Sequence, residues 1–220
     1  MSGIILIFAH RMKPTIIEDK IFEFEPFEED GSVLMAAETS WRGMAVELQE
    51  LHYLKGARFI YQLKQIIYYG DFHPVEGETN IFSAISEQSD DFDNLINAAC
   101  KAVEHGYRVY ILPNPKGIRT ADFIFERKGV YKMFDLKTIT GKNSVGNRLV
   151  ESIGQTNHVL LNMKINYEPR LLAKEIQAYF EINKEAKEVL IVKGNKLLSV
   201  SRRFVEGNFY IKMFMKRFLR

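Results

Sequence analysis

Two short runs of alternating apolar and polar residues, joined by three polar ones, constrain the fold of this chain more than any other feature. ADFIFE precedes Arg127, Lys128 and Gly129, and VYKMFDLK follows them. Alternation with a period of two is typical of strands, and Gly129 can supply the positive φ that a tight turn requires. The pattern predicts an antiparallel β-hairpin.

The register of this hairpin decides where its charged side chains meet. With a two-residue loop, Arg127 pairs with Val130, and Asp122 lies opposite Asp135. Residues directly opposed across a strand pair have β-carbons roughly 4.5–5.5 Å apart on one face of the sheet. Lys137 follows Asp135 by two residues and therefore shares that face. A three-residue loop without a bulge would shift the register by one residue, and the shared face would be lost.

Two converging carboxylates repel each other unless protons or a cation compensate their charge. Oxygen ligands that are few in number leave room for water and a phosphate oxygen, which suits Mg²⁺ or Mn²⁺ better than zinc. Asp122 and Asp135 are therefore the candidate metal ligands. Lys137 can orient or deprotonate an attacking water, or stabilise negative charge in the transition state. An Asp-x-Lys triplet alone is also common on solvated strand faces.

A second helix is predicted from about Val145 to Asn157. One side carries Arg148, Glu151 or Ser152, and Gln155, while Leu149 and Ile153 can face the core. The polar side either lines the site or is the solvated side of an amphipathic helix.

The elements from residue 91 onward follow the order helix, strand, strand, strand, helix, strand. The first helix spans about Phe92 to Val103, with Asp90 or Asp91 as its cap and Gly106 at its end. Beyond the strand HVLLNM, we expect a helix from Pro169 to near Lys187 and a last hairpin that turns at Gly194 and Asn195. These elements predict an α/β domain with a mixed sheet over residues 89–220.

Residues 1–88 are predicted to form an α+β extension of unknown role. Three apolar runs read as two or three strands, and a helical pattern from about Trp41 to Tyr69 is broken near Gly56. The runs are Ile4 to Ala9, Ile21 to Phe24, and Ser32 to Ala37.

Charge divides the chain into unlike halves. Residues 1–90 contain 7 basic and 15 acidic side chains (net −8), whereas residues 91–220 contain 23 and 13 (net +10). A basic globular segment is typical of proteins that bind phosphate-rich partners, although it also serves simple solubility. No apolar run is long enough for a membrane span, no signal peptide is expected, and the single cysteine favours a reducing cytoplasm.

The last nineteen residues, from Arg202, are basic and amphipathic, with Glu206 as their only acid. Such a stretch can pack on its own domain with its charges exposed, contact phosphates, or lie at a membrane surface. We expect packing on its own domain.

With Asp122, Asp135, Lys137 and Gln155 in this order of elements, residues 91–163 resemble the PD-(D/E)xK, or restriction-endonuclease-like, nuclease superfamily. The segments GYRVYILPNPKGIRTADFIFERKGVYKMFDLKT and IGQTNHVLLNM look most similar to the C-terminal nuclease domains of bacterial contact-dependent growth-inhibition toxins. The resemblance implies an αβββαβ core with a mixed sheet. Asp135 stands where glutamate is commoner, and Ala121 replaces the proline before the first acid.

The resemblance also implies a function. It makes Asp122 and Asp135 the ligands of Mg²⁺ or Mn²⁺, Lys137 the catalytic lysine and Gln155 a supporting residue. The expected activity is hydrolysis of phosphodiester bonds in tRNA or DNA by a toxin or mobile-element nuclease acting in the cytoplasm. Expected partners are the nucleic acid, an inhibitory or immunity protein, and a second copy in a homodimer. Basic residues near the site are candidate nucleic-acid contacts: Arg119, Lys142 and Arg148.

Two other classes of protein fit the same pattern. One is a catalytically silent module that binds nucleic acid or a partner and keeps the fold after its site decayed. The other is a structural or phage-assembly component that carries the nuclease-like part as an added domain.

Overall fold

The fold is known from a computed structural model of the chain. It describes the backbone of residues 14–17, 20–24, 33–85, 91–115 and 117–220, and the side chains in these ranges from residue 42 onward. The elements are β1 (Pro14–Ile17), β2 (Lys20–Phe24), α1 (Val33–Glu50), α2 (Gly56–Tyr69), β3 (His73–Pro74), β4 (Ile81–Ser83), α3 (Phe92–Glu104), β5 (Arg108–Ile111), β6 (Phe123–Arg127), β7 (Val130–Ile139), α4 (Val145–Glu151), β8 (His158–Met163), α5 (Pro169–Ile182), β9 (Glu188–Lys193), β10 (Lys196–Ser201), α6 (Arg202–Val205) and α7 (Tyr210–Leu219).

One mixed sheet of eight strands organises the chain. Its strand order is β10-β9-β8-β7-β6-β5-β4-β3. The pairs β4–β5, β7–β8 and β8–β9 are parallel, and the other four are antiparallel. From α3 to β8 the elements follow the predicted order of helix, three strands, helix and strand. The predicted α/β class with a mixed sheet is confirmed.

Alternating side chains divide the core between the two faces of the sheet. Phe125, Phe134 and Leu160 point to the face that α3 covers. Val159 and Ile191 point to the other face, where α4, α5 and α7 pack. Because each strand presents successive residues to opposite faces, both faces bury continuous apolar surface.

The described part of residues 1–88 shares this sheet and core. β3 and β4 extend the sheet beyond β5, and side chains of α1 and α2 pack against the central strands through Leu48, Leu63, Ile124 and Met133. The sheet therefore continues across the boundary predicted near residue 88. No helix in the described ranges is both long and apolar enough to cross a bilayer.

Several predicted elements of the first ninety residues can be compared with the structure. Ile21 to Phe24 lies in β2, and Gly56, with φ +61°, begins α2 after the break that its presence predicted. The strand predicted over Ser32 to Ala37 is wrong, since residues 33–37 open α1. Met and Ala are strong helix formers, so the run continues the helix that follows it. The run Ile4 to Ala9 lies outside the described residues.

Two helices end earlier than predicted. α4 stops at Glu151 because residues 152–155 form turns in which Gly154 has φ +86°. α5 stops at Ile182, and the guanidinium of Arg202 then donates hydrogen bonds to the carbonyl oxygens of Phe180, Asn183 and Ala186 at 3.0, 2.6 and 3.0 Å. One side chain thus satisfies backbone acceptors at the end of α5 and in the turn that follows it.

Replacing Arg202 with alanine should lower the free energy of unfolding by about 2–4 kcal/mol, because three charge-assisted hydrogen bonds to partly buried carbonyls are lost. The neighbouring Arg203 is exposed and provides a matched control, so Arg203→Ala should change stability by less than about 0.5 kcal/mol. Urea denaturation of both variants measures the difference. Equal effects of the two substitutions would contradict this role of Arg202.

The basic C-terminal stretch packs on its own domain, as predicted. Tyr210, Phe214 and Phe218 of α7 are buried in the core beside α5, and the hydroxyl of Tyr210 donates to the carbonyl of Ala173 at 3.1 Å. Phe209 remains exposed.

Candidate metal centre

The hairpin between β6 and β7 has the predicted register. Arg127 pairs with Val130 across a two-residue loop in which Lys128 and Gly129 have φ +54° and +77°. The ladder continues to Phe123 and Phe134, and the amide of Asp122 donates to the carbonyl of Phe134 at 2.9 Å. The positive-φ loop therefore brings Asp122 to the level of Asp135.

The carboxyl groups of Asp122 and Asp135 meet between the two strands. Asp135 is 1% exposed, whereas Asp122 is partly exposed and lines a cleft. The amide of Leu136 donates to Asp122 Oδ2 at 2.6 Å, and the two carboxyl groups are close enough to influence each other's pKa.

Lys137 supplies the positive charge next to this pair. Its Nζ lies 2.9 Å from Asp135 Oδ1 in a hydrogen bond and 2.8 Å from Oδ2. The second contact lies outside hydrogen-bonding geometry, and no described group donates to the buried Oδ2. The Lys137 side chain is 14% exposed, so the ion pair is largely screened from solvent.

Burial and neighbouring charges change the acidity of both groups. Burial, followed by the charge of Asp135, raises the pKa of Asp122 to about 7, although the Leu136 amide and Lys137 oppose the shift. Burial also raises the pKa of Asp135, and Lys137 again opposes it. The pair thus holds a proton more readily than two free carboxyl groups would, and a divalent cation can replace that proton.

A cleft of about 410 Å³ opens beside the pair. Asp122, Lys137 and Arg148 line it together with residues from the start of α3. The full lining is Ile85, Asp91, Asn94, Leu95, Asn114, Asp122, Leu136, Lys137, Thr138 and Arg148. The cleft is therefore open to a ligand larger than an ion.

The donors present suit a hard cation held by few protein ligands. Asp122 and Asp135 provide carboxylate oxygens, and the buried Asp135 Oδ2, which is ion-paired with Lys137 but accepts no hydrogen bond from the described residues, is an acceptor that a cation would satisfy. Mg²⁺ is commonly bound by one or two carboxylates, with water and substrate phosphates completing its shell. Within the described residues, no group of three or more His, Cys, Asp or Glu side chains is arranged for a metal, so a tightly enclosed site is not found there.

The other predicted site residues are distributed around this centre. Arg148 lines the cleft, is half exposed, and pairs with Glu151 at 2.8 Å. Gln155 donates from Nε2 to the carbonyl of Glu151 at 3.0 Å and is not among the residues that line the cleft. Arg119 is exposed and donates to the carbonyl of Ile153 at 3.4 Å, and Lys142 is exposed.

Sequence reasoning missed the contribution of α3. Asp91 was considered only as a helix cap, but its side chain makes no capping hydrogen bond and instead lines the cleft with Asn94. Thr138, two residues beyond Leu136, lines it as well. The only available signal was the run of polar residues at the start of the helix.

Comparisons with known proteins leave the family open. No protein-family model and no curated protein matches the chain. The fold is similar to a solved chain from the CdiA-CT/CdiI toxin and immunity complex of Burkholderia pseudomallei, with 17% identity, a TM-score of 0.38, and coverage of 53% of this chain and 92% of that one. A likeness of this size does not establish a common function, so the function has to be argued from the site.

Proposed function

We propose that this protein is a metal-dependent nuclease that hydrolyses phosphodiester bonds in nucleic acid. The observation that carries the proposal is the convergence of Asp122, Asp135 and Lys137 beside a cleft that Asp122 and Lys137 line, with the buried Asp135 Oδ2 lacking a hydrogen-bond donor among the described residues. Two carboxylates and a lysine on adjacent strands provide both a place for a cation and a fixed positive charge.

Asp122 and Asp135 would hold Mg²⁺ or Mn²⁺. When bound, such an ion acts as a Lewis acid that activates water and offsets negative charge on the phosphoryl group. The donor set contains only carboxylate oxygens, which favours a hard cation over zinc.

The residues of the chain itself orient the reactants. The Leu136 amide fixes one oxygen of Asp122, and the ion pair with Asp135 holds the Lys137 ammonium at the cleft. An ammonium held there can orient the attacking water or stabilise the charge that develops on the phosphate. Arg148, at the cleft wall, is placed to contact a neighbouring phosphate, and we propose Arg119 and Lys142 as further phosphate contacts.

The substrate class is tRNA or DNA, because the segment that carries the site is basic. The protein acts in the cytoplasm as a toxin or mobile-element nuclease. Its expected partners are the nucleic acid, an inhibitory or immunity protein that blocks the cleft, and a second copy of the chain.

Cleavage of a substrate panel tests the proposal. Plasmid DNA, single-stranded DNA and total tRNA are incubated with wild type and with Asp135→Asn, in Mg²⁺, Mn²⁺ or EDTA. We expect one substrate to be cut in a divalent cation, and we expect cutting to fall by at least about a thousandfold in the variant and to cease in EDTA. Cleavage that persists in EDTA or in the variant would contradict the proposal.

A catalytically silent module is the second candidate. The observation in its favour is that the described residues provide only two converging carboxylates, one of them already paired with Lys137. Titration with Mn²⁺ separates the candidates: a nuclease should bind the ion through Asp122 and Asp135 and lose it in Asp135→Asn. A protein that binds nucleic acid but neither binds Mn²⁺ nor cuts would be the silent module.

A further inference from the structure

A second positive cluster lies where α3 passes the C-terminal end of β8. Lys101 Nζ donates to Asn162 Oδ1 at 3.4 Å, and Lys164 Nζ donates to Asn97 Oδ1 at 2.7 Å. Among the described residues, neither ammonium forms a salt bridge with a carboxylate. Glu104 influences Lys101 electrostatically but lies beyond ion-pair distance. Within the described residues, both lysines are therefore held by neutral oxygens and not by ion pairs.

The same cluster has more hydrogen-bond donors than acceptors. The side chain of Asn162 is fully buried, and within the described part of the chain its Nδ2 has no acceptor. Burial, followed by the charge of Lys164, lowers the pKa of Lys101, as expected where a second ammonium group lies nearby. Clustered positive charge with surplus donors is complementary to an anion with several acceptor oxygens.

Two structural elements connect this cluster to the cleft. Thr138, which lines the cleft, is the register partner of Asn162 in the parallel pair β7–β8. Asn94, which also lines the cleft, lies one helical turn before Asn97 on α3. The polar groups therefore continue from the cleft toward Lys101 and Lys164.

We propose that Lys101 and Lys164, positioned by Asn162 and Asn97, bind a backbone phosphate of the nucleic acid next to the one that enters the cleft. The inference rests on the proposed function for the identity of the ligand. A phosphate supplies the charge and the acceptor oxygens that the cluster lacks, and contacts of this kind fix the position of a strand without reading its bases. The site thus sets the path of the strand away from Asp122 and Asp135.

Binding in EDTA tests this site independently of cleavage. Fluorescence anisotropy measures the affinity of two labelled probes, a single-stranded RNA and a DNA duplex, over a range of salt. For the probe that wild type binds, Lys101→Gln/Lys164→Gln should weaken affinity at least about tenfold and reduce the salt slope by about 1. Lys101→Arg/Lys164→Arg keeps both charges and should bind within about threefold of wild type.

Lys184→Gln is the matched control, because it removes one exposed charge before β9, at the opposite end of the parallel strands. It should change affinity by less than about twofold. The single variant Lys164→Gln alters only an exposed residue, so it keeps the test usable if the double variant does not fold. It should weaken binding at least about threefold.

The possible results test the phosphate site separately from the nuclease activity. Unchanged affinity in the double glutamine variant, or a wild type that binds neither probe, overturns the phosphate site. A wild type whose binding depends on Lys101 and Lys164 but which cuts no substrate supports the site and instead removes the nuclease proposal.

Discussion

Changing Asp122 to asparagine should raise the free energy of unfolding of the metal-free protein relative to wild type, and this difference should grow as pH rises. We expect the gap in unfolding free energy to widen by on the order of 2–3 kcal/mol between about pH 5 and pH 8. The reason is that the pKa of Asp122 is raised to about 7 in the folded protein, mainly by burial and then by the charge of Asp135. Asparagine can still accept from the Leu136 amide, but it does not titrate.

The direction follows from proton linkage. The folded state binds the Asp122 proton more tightly than the unfolded state does, in which the pKa is about 3.9. This group therefore contributes full stability below about pH 3.9 and loses its contribution as pH rises through about 7. Below that range, the protonated Asp122 and an asparagine should have similar effects, so the two proteins should differ least in acid.

Two histidines change stability with pH in the opposite direction. The quantity to measure is therefore the difference in unfolding free energy between wild type and variant. Burial lowers the pKa of His158 to about 4 and also lowers the pKa of His52. These groups destabilise the fold in acid, because the unfolded state binds their protons more tightly. Both histidines are present in wild type and in the variant, so their contribution cancels in the comparison.

Urea denaturation in EDTA at several pH values measures the gap. Glu181→Gln removes an exposed carboxylate from α5 and should follow wild type at every pH. Adding Mn²⁺ should stabilise wild type but not Asp122→Asn, because the ion requires the carboxylate that the variant lacks. A gap that stays constant with pH would show that Asp122 does not titrate as proposed.

Replacing Lys137 with methionine should slow cleavage at least about a hundredfold while Mn²⁺ affinity stays within about threefold of wild type. Methionine keeps the unbranched shape and most of the length of the side chain but removes the ammonium that lies 2.9 Å from Asp135 Oδ1. Both carboxylates remain, so the ion keeps its ligands. The loss should therefore appear in the rate of the chemical step and not in metal binding.

Lys132→Met is the matched control on the same strand. Lys132 pairs with the buried Glu188 at 2.6 Å, but the alternation of β7 places it on the face opposite Lys137. Its loss leaves a buried carboxylate without its cation, so stability should fall by roughly 3 kcal/mol while single-turnover cleavage below the melting temperature is unchanged. Single-turnover rates and Mn²⁺ titrations distinguish the two variants. Equal losses of cleavage would show that Lys137 has no special role.

The effects expected for the Asp122 and Lys137 variants have one physical cause. Asp122, Asp135 and Lys137 occupy a place where ionised groups are poorly solvated, and holding them there costs stability. A change that removes one carboxylate can stabilise the metal-free fold and abolish the chemistry together.

Some parts of the site were predictable because they depend on local chemistry. The two-residue loop at Lys128 and Gly129 permits one register, and that register places Asp122 level with Asp135. The strand from His158 to Met163 was also predicted with the bounds that it has, since its apolar run is short and lies between polar residues.

Other parts depend on residues that are distant in the sequence. The predicted strand at Ser32 to Ala37 is helical, and a short apolar run does not by itself distinguish the two structures. α4 ends before Gln155, and the side chain of Gln155 donates to the carbonyl of Glu151. Helical periodicity alone does not predict this contact.

The sequence by itself determined the order of the core elements, the mixed α/β class and the hairpin that joins the two carboxylates, because periodicity and turn chemistry act between near neighbours. Only the tertiary structure decided that β3 and β4 join the sheet, that α3 lines the cleft, and that Lys101 meets Asn162, 61 residues away. Contacts at such separations depend on how whole elements pack to bury apolar surface, and no local pattern encodes that arrangement.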